Sequence, residues 1–328
     1  MGEARYLEFG AVQLRVRPST SQKYPMLLRT SFLLLLLVTS SSSIAGAQAT
    51  SACDSLVAGV REPARGNPFE QRRIVQVMAL EVGASCILNL EQEIGATDAQ
   101  YLLPRQALAI ATIGGHEAVA ALRRLWNAEL ISDTYAEHFL VQAAASSATS
   151  EDIEFLIGIV VRDSAATWLA ESAAYNLGLL RAQAARTALQ EVSKRPWGAG
   201  LGAVESALEK LAHPPCISPR DPSFSPRENV VVALLDCVSQ PDATGPYCDI
   251  EQKLEWVREN LQWRHQHNPE CRTPGSSIMR VDLSSDRTRA MVDTAYNCGV
   301  RCGGGFVYLL SLVQERWVVR SVMRSYIS

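Results

Sequence analysis

The chain has 328 residues, of which 47% are hydrophobic and 20% charged, and its formal net charge is −3. That balance excludes a chain disordered throughout or collagen-like, and the absence of a basic excess argues against nucleic acid as the main partner. The length allows one large domain or two smaller ones, each with room for a core.

Residues 1–25 carry charged side chains without apolar periodicity, so Met26 is expected to be the working start. From there the chain runs through Arg29, a leucine run from Leu33 to Leu37 with Val38, a serine-rich stretch and Ala47-Gln48-Ala49. A positive residue, a short apolar core and small residues before the cut predict an export signal covering 1–49. The core is too short for ~30 Å of hydrocarbon, which disfavours an uncleaved membrane anchor. A lipoprotein at Cys53 is also disfavoured, because this cysteine lies far beyond the leucines and Thr50 stands where Leu is usual. The protein is expected to be exported, periplasmic or secreted, with no membrane span after cleavage. In the mature chain the excess acid falls in residues 50–212, with 13 basic and 19 acidic groups against 13 of each in 213–328. Such an excess is ordinarily surface solvation.

All eight cysteines, Cys53, Cys86, Cys216, Cys237, Cys248, Cys271, Cys298 and Cys302, follow the signal. An even number in an exported chain favours disulfides over metal or redox thiols. The expected pairs are Cys298 with Cys302 and Cys53 with Cys86; connectivity among Cys216, Cys237, Cys248 and Cys271 stays open.

Across 68–212 apolar residues recur at helical spacing, alanine is dense and β-branched runs are scarce, which predicts helices. Residues 107–122 match 174–189 at an offset of 67, placing Ile110 on Leu177, Ile113 on Leu180, Ala118 on Ala185 and Leu122 on Leu189. A weaker middle copy places Leu122 on Leu156 and Leu125 on Ile159. Half of the offset is the length of one helix pair, so the pattern predicts stacked pairs with these side chains between them. Gly114-Gly115 supplies one break, and Ser150 with Glu151, Asp152 and Glu154 reads as a helix start. The alanines, the Leu-Gly step and the Ala-x-x-Ala-Leu ending resemble HEAT-type repeats, particularly the short variety named after phycobilisome lyases. Tetratricopeptide repeats share the period, but their aromatic and proline positions do not line up. The HEAT resemblance implies an α-solenoid over 50–212 that binds partners on its concave face, and no particular chemistry.

Five prolines between Pro214 and Pro226 mark 213–227 as a linker. An apolar segment at 230–238 and a helix at 249–263 follow, the latter with Leu254, Val257 and Leu261 on one face. Alternation at Met279, Val281 and Leu283, at Ala290, Val292, Thr294 and Tyr296, at Phe306, Tyr308, Leu310 and Leu312, and at Trp317, Val319 and Met323 predicts four strands. Ser284-Ser285-Asp286 and Gln314-Glu315-Arg316 are hairpin turns. Residues 228–328 therefore read as a small α+β domain ending in an antiparallel meander, with a cystatin-like or nuclear-transport-factor-like curved sheet as the expected form. The Cys298-Gly-Val-Arg-Cys302-Gly-Gly-Gly hairpin, Trp317-Val-Val319 and Tyr326-Ile-Ser328 resemble the end of an uncharacterised bacterial exported family, which brings no activity with it. Val300, Arg301 and Tyr326 depart from its usual residues.

No motif with a chemical mechanism emerges, so no catalytic residue, cofactor or metal is assigned. His265, His267 and Cys271 have metal-ligand types, but i and i+2 do not share a helix face. Gly198-Ala-Gly200-Leu-Gly-Ala203 has the letters of a dinucleotide loop without the strand before it. Three spacers between Cys298 and Cys302 suit a hairpin staple more than a redox pair. The leading expectation is a non-enzymatic extracytoplasmic interaction protein that binds a protein or peptide through the helices. The opposing ones are a small-ligand or enzymatic pocket in the C-terminal domain, or a hydrolase inhibitor.

Overall fold

A computed structural model of the chain describes residues 52–61, 68–96, 103–131, 133–162, 167–195, 201–212, 218–238, 276–299 and 302–327. The described residues all lie in one compact unit, Gln48–Ser328. They are mostly helical and close on a C-terminal antiparallel sheet. Helix α1 covers residues 52–61. It is followed by α2 (Pro68–Leu80), α3 (Ile87–Ala96), α4 (Leu103–Ile113), α5 (His116–Asn127) and α6 (Asp133–Ser147). Next come α7 (Ser150–Val161), α8 (Thr167–Leu179), α9 (Arg186–Ser193), α10 (Leu201–Ala212) and, beyond the short strand β1 (Ser218–Pro219), α11 (Pro226–Val238). Strands β2 (Ser276–Leu283), β3 (Arg289–Gly299), β4 (Cys302–Val313) and β5 (Arg316–Ile327) complete the fold.

The helices form two rows. In the inner row α2 packs on α4, α4 on α6, α6 on α8 and α8 on α10; in the outer row α3 packs on α5 and α7 on α9. Ile110, Leu122, Leu177 and Leu189 are fully buried between the rows, and Ile113 and Leu180 are half-buried against the same core. Among the described residues from 105 to 194 there is no strand.

Small residues set how closely neighbouring helices approach. Gly114 has φ 72°, and a Cβ there would lie 2.8 Å from Ser146 Cβ, so this break between α4 and α5 needs glycine for both reasons. At Gly178 of α8 a Cβ would stand 2.8 Å from Ala207 Cα in α10. α7 starts at Ser150, as the sequence suggests, and Thr149 before it is the cap, its Oγ1 accepting from Asp152 N–H at 3.2 Å, with Glu151 and Asp152 in the first turn. Arg61–Glu93, Arg124–Glu91, Arg123–Glu151 and Arg162–Glu137 stitch neighbouring helices at the surface. Such exposed pairs contribute about 0–1 kcal/mol each and fix orientation more than stability.

The proline-rich stretch ends in a helix where the sequence reading placed only an apolar segment. Ser225 and Glu228 form a reciprocal cap on α11, Glu228 accepting from Ser225 N–H at 2.7 Å and Ser225 Oγ from Glu228 N–H at 3.3 Å. Pro226 occupies the first helical position, where a missing N–H costs nothing. The expected helix at 249–263 lies outside the described residues.

Strand order is β1-β5-β4-β3-β2, so β2 to β5 form a meander with the two-residue β1 on its edge. The β4–β5 turn carries Gln314 and Glu315 at φ 48° and 62°, the two left-handed positions that match strand twist. One face of the sheet packs on α11 through Val281, Ala290, Val292, Leu310, Trp317 and Val319. The other meets α2, α6 and α8, with Met291, Val307 and Leu309 against Leu80 and with Met323 in the helical core. The pairing slips at four points in the meander, and two of these slips displace methionines from the expected face. Met279 is the extra residue between Ile278 and Arg280, and the pairing slips again between Leu309 and Leu310, opposite Ser321 and Val319. Met279 and Met323 are thereby turned away from the Val281 and Val319 face toward the helices.

β5 is joined to α8 by one side chain. Asn176, fully buried, donates through Nδ2 to the Val322 carbonyl and accepts at Oδ1 from the Val322 N–H, both at 2.8 Å. Beyond the two residues covered by β1, this strand is the sheet edge, and Asn176 satisfies backbone groups that an edge leaves bare.

Candidate functional site: a cleft between helices and sheet

A cleft of about 480 Å³ opens where α2, α4 and α6 meet the sheet. Its apolar wall is Leu108 of α4, Phe139 of α6, Val307 of β4 and Met323 of β5, all buried, with Pro104 and the bulged Met279 nearer the mouth. The polar groups come mainly from one face of α2, where Arg72 and Gln76 are one turn apart and Glu70 and Arg73 lie beside them. Arg105, His138, Asp293, Thr294 and Arg324 complete the lining. The sheet reaches this position because β5 is held on α8, and Met279 reaches it because of the bulge.

The charges are unevenly matched. Arg73 bonds Glu70, lies 3.3 Å from an Asp282 carboxylate oxygen and 4.0 Å from Asp293. Arg280 also binds Asp282, at 3.0 Å. Arg324 bonds Glu171 of α8, and Arg105 donates to the Gly59 carbonyl at 3.3 Å. Burial, reinforced by the neighbouring Asp282, pushes Asp293 up to about 6 despite the attraction of Arg73 and Arg280. Burial, with Arg72 nearby, pulls His138 down to about 4, so the imidazole is neutral at pH 7. His138 sits edge-on to Trp168 at a centroid distance of 4.9 Å. Its Nδ1 has no hydrogen-bond partner, and neither has Nε2 of Gln76, a residue only 4% exposed. Thr294 Oγ1 is engaged by the Phe306 carbonyl at 3.3 Å. The arrangement suits holding an organic molecule, with apolar side chains and unfilled polar groups in one lining.

Cys53 and Cys86 are joined in a disulfide with Cα atoms 5.5 Å apart, tying α1 to the turn before α3. The backbone places Gly299 opposite Cys302 and Asn297 opposite Gly303, so Cys298 and Cys302 fall on opposite arms at the hairpin tip. Their side chains lie outside the described residues, as do Cys216, Cys248, His265, His267, Cys271 and the Gly198 and Gly200 loop. Cys237 is buried in the α11 core. Among the described residues no three His, Cys, Asp or Glu side chains gather in a way that could hold a metal, and no single helix is long and apolar enough to cross a membrane. The cleft residues were not singled out by the sequence. The available signals were Gln76 within the apolar second half of α2, residues 74–80, and Asp293 between Val292 and Thr294 in β3.

The chain matches no family model, no curated protein and no solved structure.

Proposed function

We propose that the protein is an exported, non-enzymatic binding protein whose cleft between α2, α4, α6 and the sheet holds a small organic ligand. The observation that carries this reading is the cleft: its volume falls within the roughly 300–1,000 Å³ of small-molecule sites, and its lining joins apolar side chains to the buried Gln76, whose Nε2 has no hydrogen-bond partner. Export is supported by the signal-like pattern ending at Ala49 and by the Cys53–Cys86 pair, which suits an oxidising compartment. The same pair occupies the sulfur that a lipoprotein would need at Cys53. In this reading the two helical rows are a HEAT-like α-solenoid, and Cys298 with Cys302 staples the hairpin tip.

A protein or peptide partner on the helices is the alternative. The inner row, however, already carries β5, and Asn176 takes the Val322 backbone groups as it would take those of an incoming strand. This favours a small molecule in the remaining cleft. Titration of the mature protein with N-phenyl-1-naphthylamine, an uncharged fluorescent probe, tests it. One saturable site is expected, lost in Met279→Trp, which fills the mouth from an exposed position. No saturable binding, or binding unchanged in a folded Met279→Trp protein, refutes the reading.

A further inference from the structure

We propose that the cleft's ligand is an amphipathic anion, a carboxylate on a hydrocarbon body, held head-first by Arg72, Gln76 and His138. This rests on the small-ligand reading above and adds the chemistry of the ligand.

Glu70 bonds Arg73, Asp282 takes Arg73 and Arg280, and Glu171 takes Arg324. Asp293 faces Asp282 and Arg280 from β2 and Arg73 and Glu70 from α2, so its surroundings are already close to balanced. Arg72 differs: among the described residues it has no acidic partner, and its charge acts on His138. One turn along the same helix, the Gln76 amide offers a donor that no acceptor fills at 4% exposure, where an unmade hydrogen bond is costly. His138 adds an unpartnered Nδ1, and a neutral imidazole can place its proton there. A guanidinium, an amide N–H and an imidazole N–H in one lining require a group that accepts several hydrogen bonds and carries negative charge.

A carboxylate meets that requirement, with about four lone-pair sites and the geometry for a guanidinium fork. An ammonium would set its charge against Arg72 and leave the Gln76 donor unmade. An alcohol could accept at most two of these bonds and would leave Arg72 uncompensated. The rest of the ligand must be hydrocarbon, because the same lining also holds the buried Leu108, Phe139, Val307 and Met323.

The test is displacement of N-phenyl-1-naphthylamine by decanoate, decan-1-ol and decylamine at pH 7.5. Decanoate should displace the probe at about tenfold lower concentration than decan-1-ol, the ratio expected for hydrogen bonds to a charged group, and decylamine should be weakest. Arg72→Ala, an exposed substitution, and Gln76→Met, close in volume, should each remove most of the decanoate advantage, read within each variant as the ratio of the decanoate and decan-1-ol concentrations that displace the probe. If the probe binds but the alcohol or amine competes as well as decanoate, or if both variants keep the advantage, the anion assignment is overturned and the cleft stands. If neither the probe nor decanoate binds the wild-type protein, both proposals fall.

Discussion

Replacing Asn176 with Ala should separate the sheet edge from the helices. Val322 is 2% exposed, and both of its backbone groups use the Asn176 amide as their partner, at 2.8 Å each. Truncation leaves a buried N–H and a buried carbonyl unmade, at about 1–3 kcal/mol apiece, for a total of roughly 2–6 kcal/mol. The Ser172 carbonyl, which also accepts from Nδ2 at 2.8 Å, belongs to the α8 backbone and adds little. A loss near the middle of that range is a large part of the about 5–15 kcal/mol that holds a domain together. Urea unfolding measures the change, and hydrogen exchange at the Val322 amide localises it. The variant should unfold at markedly lower urea, and the Val322 amide should exchange faster than the β4 amides. A loss below about 0.5 kcal/mol with Val322 still protected would show that β5 is held by its apolar contacts alone and that the edge-capping argument is mistaken.

Three other outcomes are expected. Substituting both Cys53 and Cys86 with Ser should cost about 3–4 kcal/mol by loop-closure entropy for a separation of 33 residues, and peptide mapping of the unreduced protein should recover the linked pair. Leu177→Ala, which empties a fully buried site between the rows, should cost ~2–5 kcal/mol, whereas a cost under ~1 kcal/mol would mean that the rows are not tightly packed there. Asp293 and His138 should give opposite pH signatures, both read by denaturant midpoints across pH 4 to 8. Asp293 binds its proton more tightly folded than unfolded, so its contribution improves as pH falls through about 6, and Asp293→Asn should stabilise at pH 7.5 but not at pH 4.5. His138 resists protonation when folded, so its contribution is lost as pH falls from about 6.5 through about 4, and His138→Gln should flatten that loss.

Local patterns were readable wherever one element settles its own structure. Helical periodicity and the 67-residue offset placed Ile110, Leu122, Leu177 and Leu189 in the core, and alternation placed the four long strands and both hairpin turns. Pro226 reads as a helix breaker by residue type alone, but Ser225 and Glu228 frame it as a first helical residue. Met279 and Met323 were assigned to the wrong face because a bulge leaves little mark in the residues that carry it.

The sequence by itself determined helices within 68–212, a β ending and one cysteine pair, because periodicity, turn residues and composition are local properties. Only the tertiary structure decided that β5 lies on the inner helices and that the cleft exists. Arg73 and Asp282, 209 residues apart, meet through packing rather than through any shared element, and Gln76, His138 and Asp293 acquire their character from what surrounds them. Burial shifts a carboxylate and an imidazole in opposite directions because each disfavours its own charged form, and no reading of neighbouring letters contains that burial.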